Sequence, residues 1–431
     1  MPHSQLDRRQ ILKLSGIGIG LAASSPLLAA CTSAVSSSTS GSTTPSAGST
    51  TGSSASAAAA LSIGVIKPAT GALAAGYGPL FAPANLAVQE INAAGGILGK
   101  QITTTVYNDQ GAVADEGSAA HQLISAGLHY ALGPVGTSQV LASYAATQTG
   151  GNQVIQCCET MSPTVNDPSR YPGGYSPIIQ SERAAQMFAD RLVSTLGSRR
   201  IGLLYENSGY GDEGANFFTQ AVKATPAKIV ATGTYDVGST TIPSNLLKLK
   251  SAGIDSLMIW CTTPGDVSNI FTAIQQLQLT VPIGSSSTFS TYLGKLIPKL
   301  NPKILDNTFF VVNSTFTFTP QQPASADVIA YANKLAQFGN IPGVVFFSAI
   351  QGPYYDFIYM LKRAIESVKT TDYAAVTNAL QTLGPYAGKV GTINFTSSDH
   401  VGLTDDSYAL AKASGLLDES LSHGWMVERI S

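Results

Sequence analysis

The chain reads as an α/β protein made of two doubly wound parallel-sheet lobes facing across a crevice. Three observations predict this. Short apolar runs of strand length alternate with longer segments of helical period. The alternation starts at Ser62 and starts again at Arg200. The length, 431 residues, exceeds what one hydrophobic core usually serves.

Ser62 to Ile66 is an apolar strand, and Pro68 to Gly78 is a Gly- and Ala-rich loop without period. From Leu80, the residues Leu80, Ala84, Ala87, Val88 and Ile91 recur at helical spacing, and Gly95-Gly96 ends the helix. Loops at the carboxyl ends of parallel strands line the crevice of an open sheet, so Thr70 to Tyr77 is a candidate site, with Tyr77 its only large side chain. Further strands are expected at Gln101 to Tyr107, His129 to Leu132 and Gln153 to Cys157, with a helix at Asp115 to Ala126. The second series has strands at Ile201 to Tyr205, Lys228 to Tyr235, Ser256 to Ile259 and Val281 to Gly284. Its helices fall near Gly211 to Ala224, Ile242 to Ala252 and Pro264 to Leu277. A third region predicts helices at Ala324 to Gln337, Phe347 to Val368 and Asp372 to Leu383, then a strand at Gly391 to Phe395 that joins one sheet or the other.

Charged residues are 12% of the chain and the formal net charge is -2, which leaves no basic field for nucleic acid or another polyanion. The amino terminus reads as an address. Asp7-Arg8-Arg9-Gln10-Ile11-Leu12-Lys13 resembles a twin-arginine export motif, and Leu28-Ala29-Ala30-Cys31 resembles the lipoprotein box in which Cys31 receives a lipid. The apolar segment from Ile17 to Leu28 falls short of the ~20 residues that span a bilayer. Thr32 to Ala58 is almost entirely Ser, Thr, Gly and Ala, a tether of roughly 30 Å root-mean-square span. Cys157, Cys158 and Cys261 show no metal-ligand spacing; they read as small buried hydrophobes, although the vicinal pair could close a strained ring.

Gly209-Tyr210-Gly211-Asp212-Glu213-Gly214 fits GxGxxG, with Asp236 beyond it, but the first glycine comes too late after its strand for the tight turn that a dinucleotide pyrophosphate needs. Ala94 to Gln101 lacks the first glycine and the final Ser or Thr of a phosphate loop and follows a helix, so it is a turn. There is no GxSxG, no nucleophile beside a base, and no His or Cys pair at metal spacing. The expectation is a binding protein without cofactor, metal or catalytic residues. Gly133-Pro134-Val135-Gly136-Thr137-Ser138 and Gly284-Ser285-Ser286-Ser287-Thr288 carry its chemistry. Small residues let a ligand approach the backbone, and hydroxyls and amides at a helix start suit a carboxylate. Plain N-capping by Thr137 or Ser138 accounts equally well for the first loop taken alone.

Gly71, Tyr77-Gly78, the run Ala87 to Lys100, Tyr107-Asn108-Asp109, Gly133 to Ser138, Tyr210-Gly211-Asp212, Tyr355-Asp356 and Gly391 to Phe395 together resemble the leucine/isoleucine/valine-type substrate-binding proteins of ABC importers. The resemblance implies a type I periplasmic-binding-protein fold with a hinge of three crossovers, placed near Ile178 to Gln180, Phe309 to Asn313 and Phe395 to Ser398. Lobe 1 is then 61–178 with 313–395, and lobe 2 is 179–312 with 396–431. Tyr77 would cover the ligand; Gly136, Thr137 and Ser138 would hold its carboxylate, with Thr160 or Met161 nearby, and Tyr210 would close from lobe 2. Thr262 stands where amino-acid binders have an aromatic, and Ser286 where they have the glutamate that pairs with the ligand ammonium. An amino acid then needs Glu159 or Glu206 as a substitute carboxylate. The resemblance implies a monomer tethered by Cys31 to the outer face of the cytoplasmic membrane, delivering a branched-chain amino acid or related solute to permease and ATPase subunits. A non-amino organic or aromatic acid, a urea-like amide and a sensory role are the alternatives.

Overall fold

A computed structural model describes residues 60–262, 264–287, 289, 299–339, 341, 347, 349–417 and 426–430, all within the compact unit Ser56–Ser431. Cys31, the export motif and the tether lie outside these residues.

The first sheet has the order β2-β1-β3-β4-β5 and is parallel throughout. Its strands are β1 (Leu61–Lys67), β2 (Ile102–Asn108), β3 (Tyr130–Val135), β4 (Ile155–Glu159) and β5 (Gly174–Tyr175). The central strand β3 is buried along its whole length, as a strand covered by helices on both faces must be. The edge strand β2 carries three threonines and exposes most of its residues. The Ala82–Ala93 helix begins with Pro83 and buries Ala84, Leu86, Ala87 and Ile91. Gly95 and Gly96 end it with φ of 103° and 80°. It packs on the Tyr354–Val368 helix, with Phe81 stacked on Tyr354 at 4.5 Å and the Tyr355 and Tyr359 hydroxyls both donating to Glu90 at 2.6 Å.

The second sheet has the order β11-β15-β14-β10-β9-β8-β6-β7. Its parallel part comprises β6 (Arg200–Glu206), β7 (Lys228–Tyr235), β8 (Ser256–Trp260), β9 (Ile283–Ser285) and β10 (Thr308–Asn313). Antiparallel β14 (Tyr408–Lys412) and β15 (Val427–Ile430) extend it, and β11 (Thr317–Phe318) pairs with β15. These three strands were not predicted, because pieces of two to five residues are too short to show a period.

Three sequence expectations are corrected. Phe309 to Asn313 is not a crossover but most of β10, a fully buried strand of the second sheet. Strand β13 (Thr392–Ile393) joins neither large sheet; it forms a separate pair with β12 (Tyr386–Ala387). The helix expected from Phe347 to Val368 is interrupted: Phe347, Ala349 and Ile350 are helical, the chain then turns through Gly352 and Pro353, which proline cannot carry as helix interior, and the long helix runs from Tyr354 to Val368. Cys157, Cys158 and Cys261 are buried free thiols, so the vicinal pair is not bridged.

Candidate ligand-binding site

Between the two sheets lies a void of about 500 Å³ continuous with solvent, of which about 70 Å³ admits the centre of a water molecule. The first lobe presents Tyr77, Leu80, Val135, Gly136, Thr137, Glu159, Thr160 and Met161 to it; Ile178 and, from the second lobe, Tyr210, Thr262 and Ser287 complete the wall.

The loop after β3 supplies the polar floor. Gly136 takes φ of 103°, a conformation glycine adopts without steric cost, and turns the chain into the Thr137–Thr147 helix. No side chain caps that helix, so its first amides are left for a partner outside it and the positive end of its dipole points the same way. Thr137 Oγ1 is 3.2 Å from Thr160 Oγ1. Thr160 is itself fixed: its amide donates to Ser176 Oγ, Ser176 Oγ donates to its carbonyl at 2.9 Å, and the Ser162 amide donates to its hydroxyl at 3.2 Å.

The second lobe closes the cavity with backbone and aromatic groups. Tyr77 donates its hydroxyl to the Thr262 carbonyl across the crevice at 3.1 Å. Tyr210 donates to Met161 Sδ at 3.3 Å and rests edge-on against the fully buried Trp260, 5.6 Å between ring centres. Ser162 and Thr164 of the first lobe both donate to Glu213 Oε1, at 2.9 and 3.2 Å. Burial raises the pKa of both Tyr77 and Tyr210, so each remains a neutral donor.

The two candidate glutamates meet different fates. Glu206 is fully buried and both its oxygens are occupied: Oε2 accepts from the Thr262 amide at 2.7 Å, and Oε1 accepts from the Thr262 and Ser208 hydroxyls at 2.6 Å each. It holds the Thr262 loop in place. Glu159, at the end of β4, has an Oε2 with essentially no exposed surface and no hydrogen-bond partner among the described residues. Burial pushes its pKa up to about 8. Glu159 also lines a second, somewhat smaller chamber of about 410 Å³ beside the hinge, with Ile178, Ile179, Ser287, Val311, Val312, Asn313, Gln351 and Tyr408.

Two expected site residues are not brought to the cavity. Ser286 is fully buried, donating to the Cys261 carbonyl at 3.0 Å, and its neighbour Ser287 faces the void instead, because alternate residues leaving β9 point to opposite sides. Ser138 faces the next helix: a β-carbon on Gly209 would come 2.9 Å from its Oγ. Thr262 lines the wall, but its amide and hydroxyl are committed to Glu206. Leu80 and Ile178 were missed as site residues, being apolar residues that sequence alone cannot tell from core; Val135 and Ser287 lie within the two loops expected to carry the chemistry but were not singled out in them.

A two-lobed α/β body whose strand-end loops meet over a small, mainly apolar cavity has the architecture of a receptor for a small solute. The chain belongs to the periplasmic binding protein family, whose profile matches residues 60–415. Leu/Ile/Val-binding protein homolog 3 of Brucella melitensis is 24% identical over 348 residues, which cover 79% of this chain and 88% of the relative. Among solved structures, a type 1 periplasmic binding protein from Bordetella pertussis superposes with a TM-score of 0.70 at 22% identity, over 82% of this chain and 96% of its own. The branched-chain amino acid transporter substrate-binding protein of Streptococcus pneumoniae, solved with isoleucine, gives 0.64 at 20% identity over 82% and 96%. Membership makes the chain an extracytoplasmic binder of a substrate, not a catalyst.

Proposed function

We propose that this protein captures a small carboxylate- or amide-bearing solute between its lobes and delivers it to the permease and ATPase subunits of an ABC importer, a branched-chain amino acid or related compound being the first candidate. The observation that carries this reading is the uncapped helix start at Gly136 to Ser138, opening into a cavity whose opposite wall is Tyr210 and Thr262. A relative named as a Leu/Ile/Val-binding protein homolog and the related structure solved with isoleucine support it. A ligand touching both lobes favours the closed arrangement by its differential affinity, and closure is what the importer can recognise.

The test is a thermal-shift screen against small solutes, followed by titration of Thr137→Ala. A ligand at a hundred times its dissociation constant adds ~2.7 kcal/mol of stability, an easily read shift. Removing the Thr137 hydroxyl deprives a bound carboxylate of one charge-assisted hydrogen bond, on the order of 1.5 to 3 kcal/mol, or about tenfold or more in affinity. Wild-type affinity in a normally folded Thr137→Ala protein would show that this loop is not the anion site.

We assign the anchoring to Cys31, on the strength of the Leu28-Ala29-Ala30-Cys31 box and the Arg8-Arg9 pair upstream. Cys31→Ala should move the protein from the membrane to the soluble exported fraction and abolish fatty-acid labelling. Unlabelled wild-type protein would refute the anchor.

A further inference from the structure

We propose that Glu159 binds a cationic group of the ligand, and that this protein therefore holds both charges of a short zwitterion on its first lobe alone. The inference rests on the reading of the cleft as a solute site and names the class of solute. Its basis is the position of one carboxyl group. Glu159 lines both the cleft and the hinge chamber, and its Oε2 is shut off from solvent without a hydrogen-bond partner among the described residues. Among the described residues, no lysine, arginine or histidine lines either chamber. A buried carboxylate is retained only when something compensates it, and here the one open direction is the cavity.

The spacing selects the class. Val135 pairs with Glu159 across β3 and β4, and the Gly136 amide donates to the Glu159 carbonyl at 3.0 Å. The carboxyl group thus leaves the strand next to the one whose helix start offers amides to an anion, and neighbouring strands lie ~4.8 Å apart. Opposite charges one strand spacing apart match an α-amino acid or another short amino acid. A plain acid or neutral amide would leave Glu159 unpaired. Glu206 does not compete, since Thr262 and Ser208 already occupy it. Tyr210, Thr262 and Ser287 of the second lobe bring no charged side chain to the cleft. Both ionic contacts can therefore form before the lobes close, and closure adds the aromatic and hydroxyl wall.

The ionisable groups around Glu159 are Cys157 on its own strand, Tyr77 and Tyr354 from the packed helices, and Tyr210 and Tyr408 lining the two chambers. Burial raises the pKa of all five, so they stay neutral at ordinary pH and Glu159 is the group that changes charge. Its own pKa of about 8 means that binding a cation at pH 6.5 must expel a proton.

The experiment titrates wild-type and Glu159→Gln proteins calorimetrically with the common amino acids, γ-aminobutyrate and small amines, each paired with the acid or amide that lacks its amino group. At least one amino compound should bind wild type, releasing about one proton at pH 6.5 as judged from buffers of different ionisation enthalpy. Glu159→Gln should weaken that compound by about a hundredfold or more and its deaminated partner by less than about threefold. A melting curve in solute-free buffer checks that the variant is folded. If the deaminated compound binds wild type as tightly, or Glu159→Gln leaves amine affinity unchanged, the inference is overturned while the cleft remains a solute site. If the whole panel is silent, acids and amides included, both the inference and the reading of the cleft are overturned.

Discussion

Replacing Gly133 by alanine should destabilise the protein by about 2 to 5 kcal/mol, or prevent folding, although it adds one methyl group. Gly133 lies in β3, between β1 and β4, with φ of 80°. A β-carbon there would stand 2.0 Å from the Ile66 carbonyl oxygen and 2.9 Å from the Phe81 ring. Left-handed backbone costs an L-residue about 1 to 2 kcal/mol, and overpacking a tight site adds about 1 to 3. Relief by moving the strand is barred, because the Gly133 carbonyl accepts from Gln156 Nε2 at 2.7 Å and from the Cys158 thiol at 3.1 Å. Gly117, inside the Val113–Ser125 helix with open space where its β-carbon would go, is the control. Gly117→Ala should raise stability by about 0.5 to 1 kcal/mol, since alanine restricts the unfolded chain and favours helix. Urea midpoints measure both; equal midpoints would contradict the packing described for β3.

The second large effect is a pH-dependent gain from Glu116→Gln. Glu116 is fully buried on the Val113–Ser125 helix, neither of its oxygens has a hydrogen-bond partner among the described residues, and the buried Asp109 lies close. Burial first, and the Asp109 charge second, push its pKa from 4.5 up to about 10. The folded state therefore keeps a proton on Glu116 between pH 4.5 and 10, while the unfolded chain has released it. In that window the native state binds more protons, so stability falls as pH rises, by at most ~1.4 kcal/mol per unit from this group. Glutamine has nearly the same shape and no charge to desolvate. The variant should match wild type near pH 4.5, exceed it by on the order of 2 to 3 kcal/mol at pH 7, and pull further ahead up to about pH 10. Asp356, at about 6, and Glu159, at about 8, slope the same way at lower pH, so melting points between pH 8 and 9.5 isolate Glu116. Parallel wild-type and variant curves across that range would show that Glu116 is not held protonated.

The sequence carried most of the fold because apolar period is a local property. The strand Lys228–Tyr235 was predicted to the residue, and the helices Ile242–Ser251 and Tyr373–Thr382 to within a residue at either end. Elements lacking that signal escaped. The Thr137–Thr147 helix is built mainly of small and hydroxyl residues; β14 acquires its meaning only by pairing with β10, about a hundred residues earlier, and β15 only by pairing with β14 and β11. The strand expected at Gly391 to Phe395 was assigned to a large sheet because a two-residue strand such as β13 can satisfy its hydrogen bonds with a hairpin partner as readily as with a large sheet, and nothing local tells the two apart.

Sequence by itself determined the class of the protein and the neighbourhood of its cleft, since glycines at strand ends and hydroxyls at a helix start are chemistry written in consecutive residues. It could not decide which glutamate is free to meet a ligand. Glu159 and Glu206 each end a strand and look alike along the chain. Only in three dimensions does Thr262, 56 residues beyond Glu206, fold back to occupy it, while nothing described in the chain reaches Glu159 Oε2. Hydrogen-bond saturation is a property of what the fold brings near, and so the charge left open to the cavity was a tertiary decision.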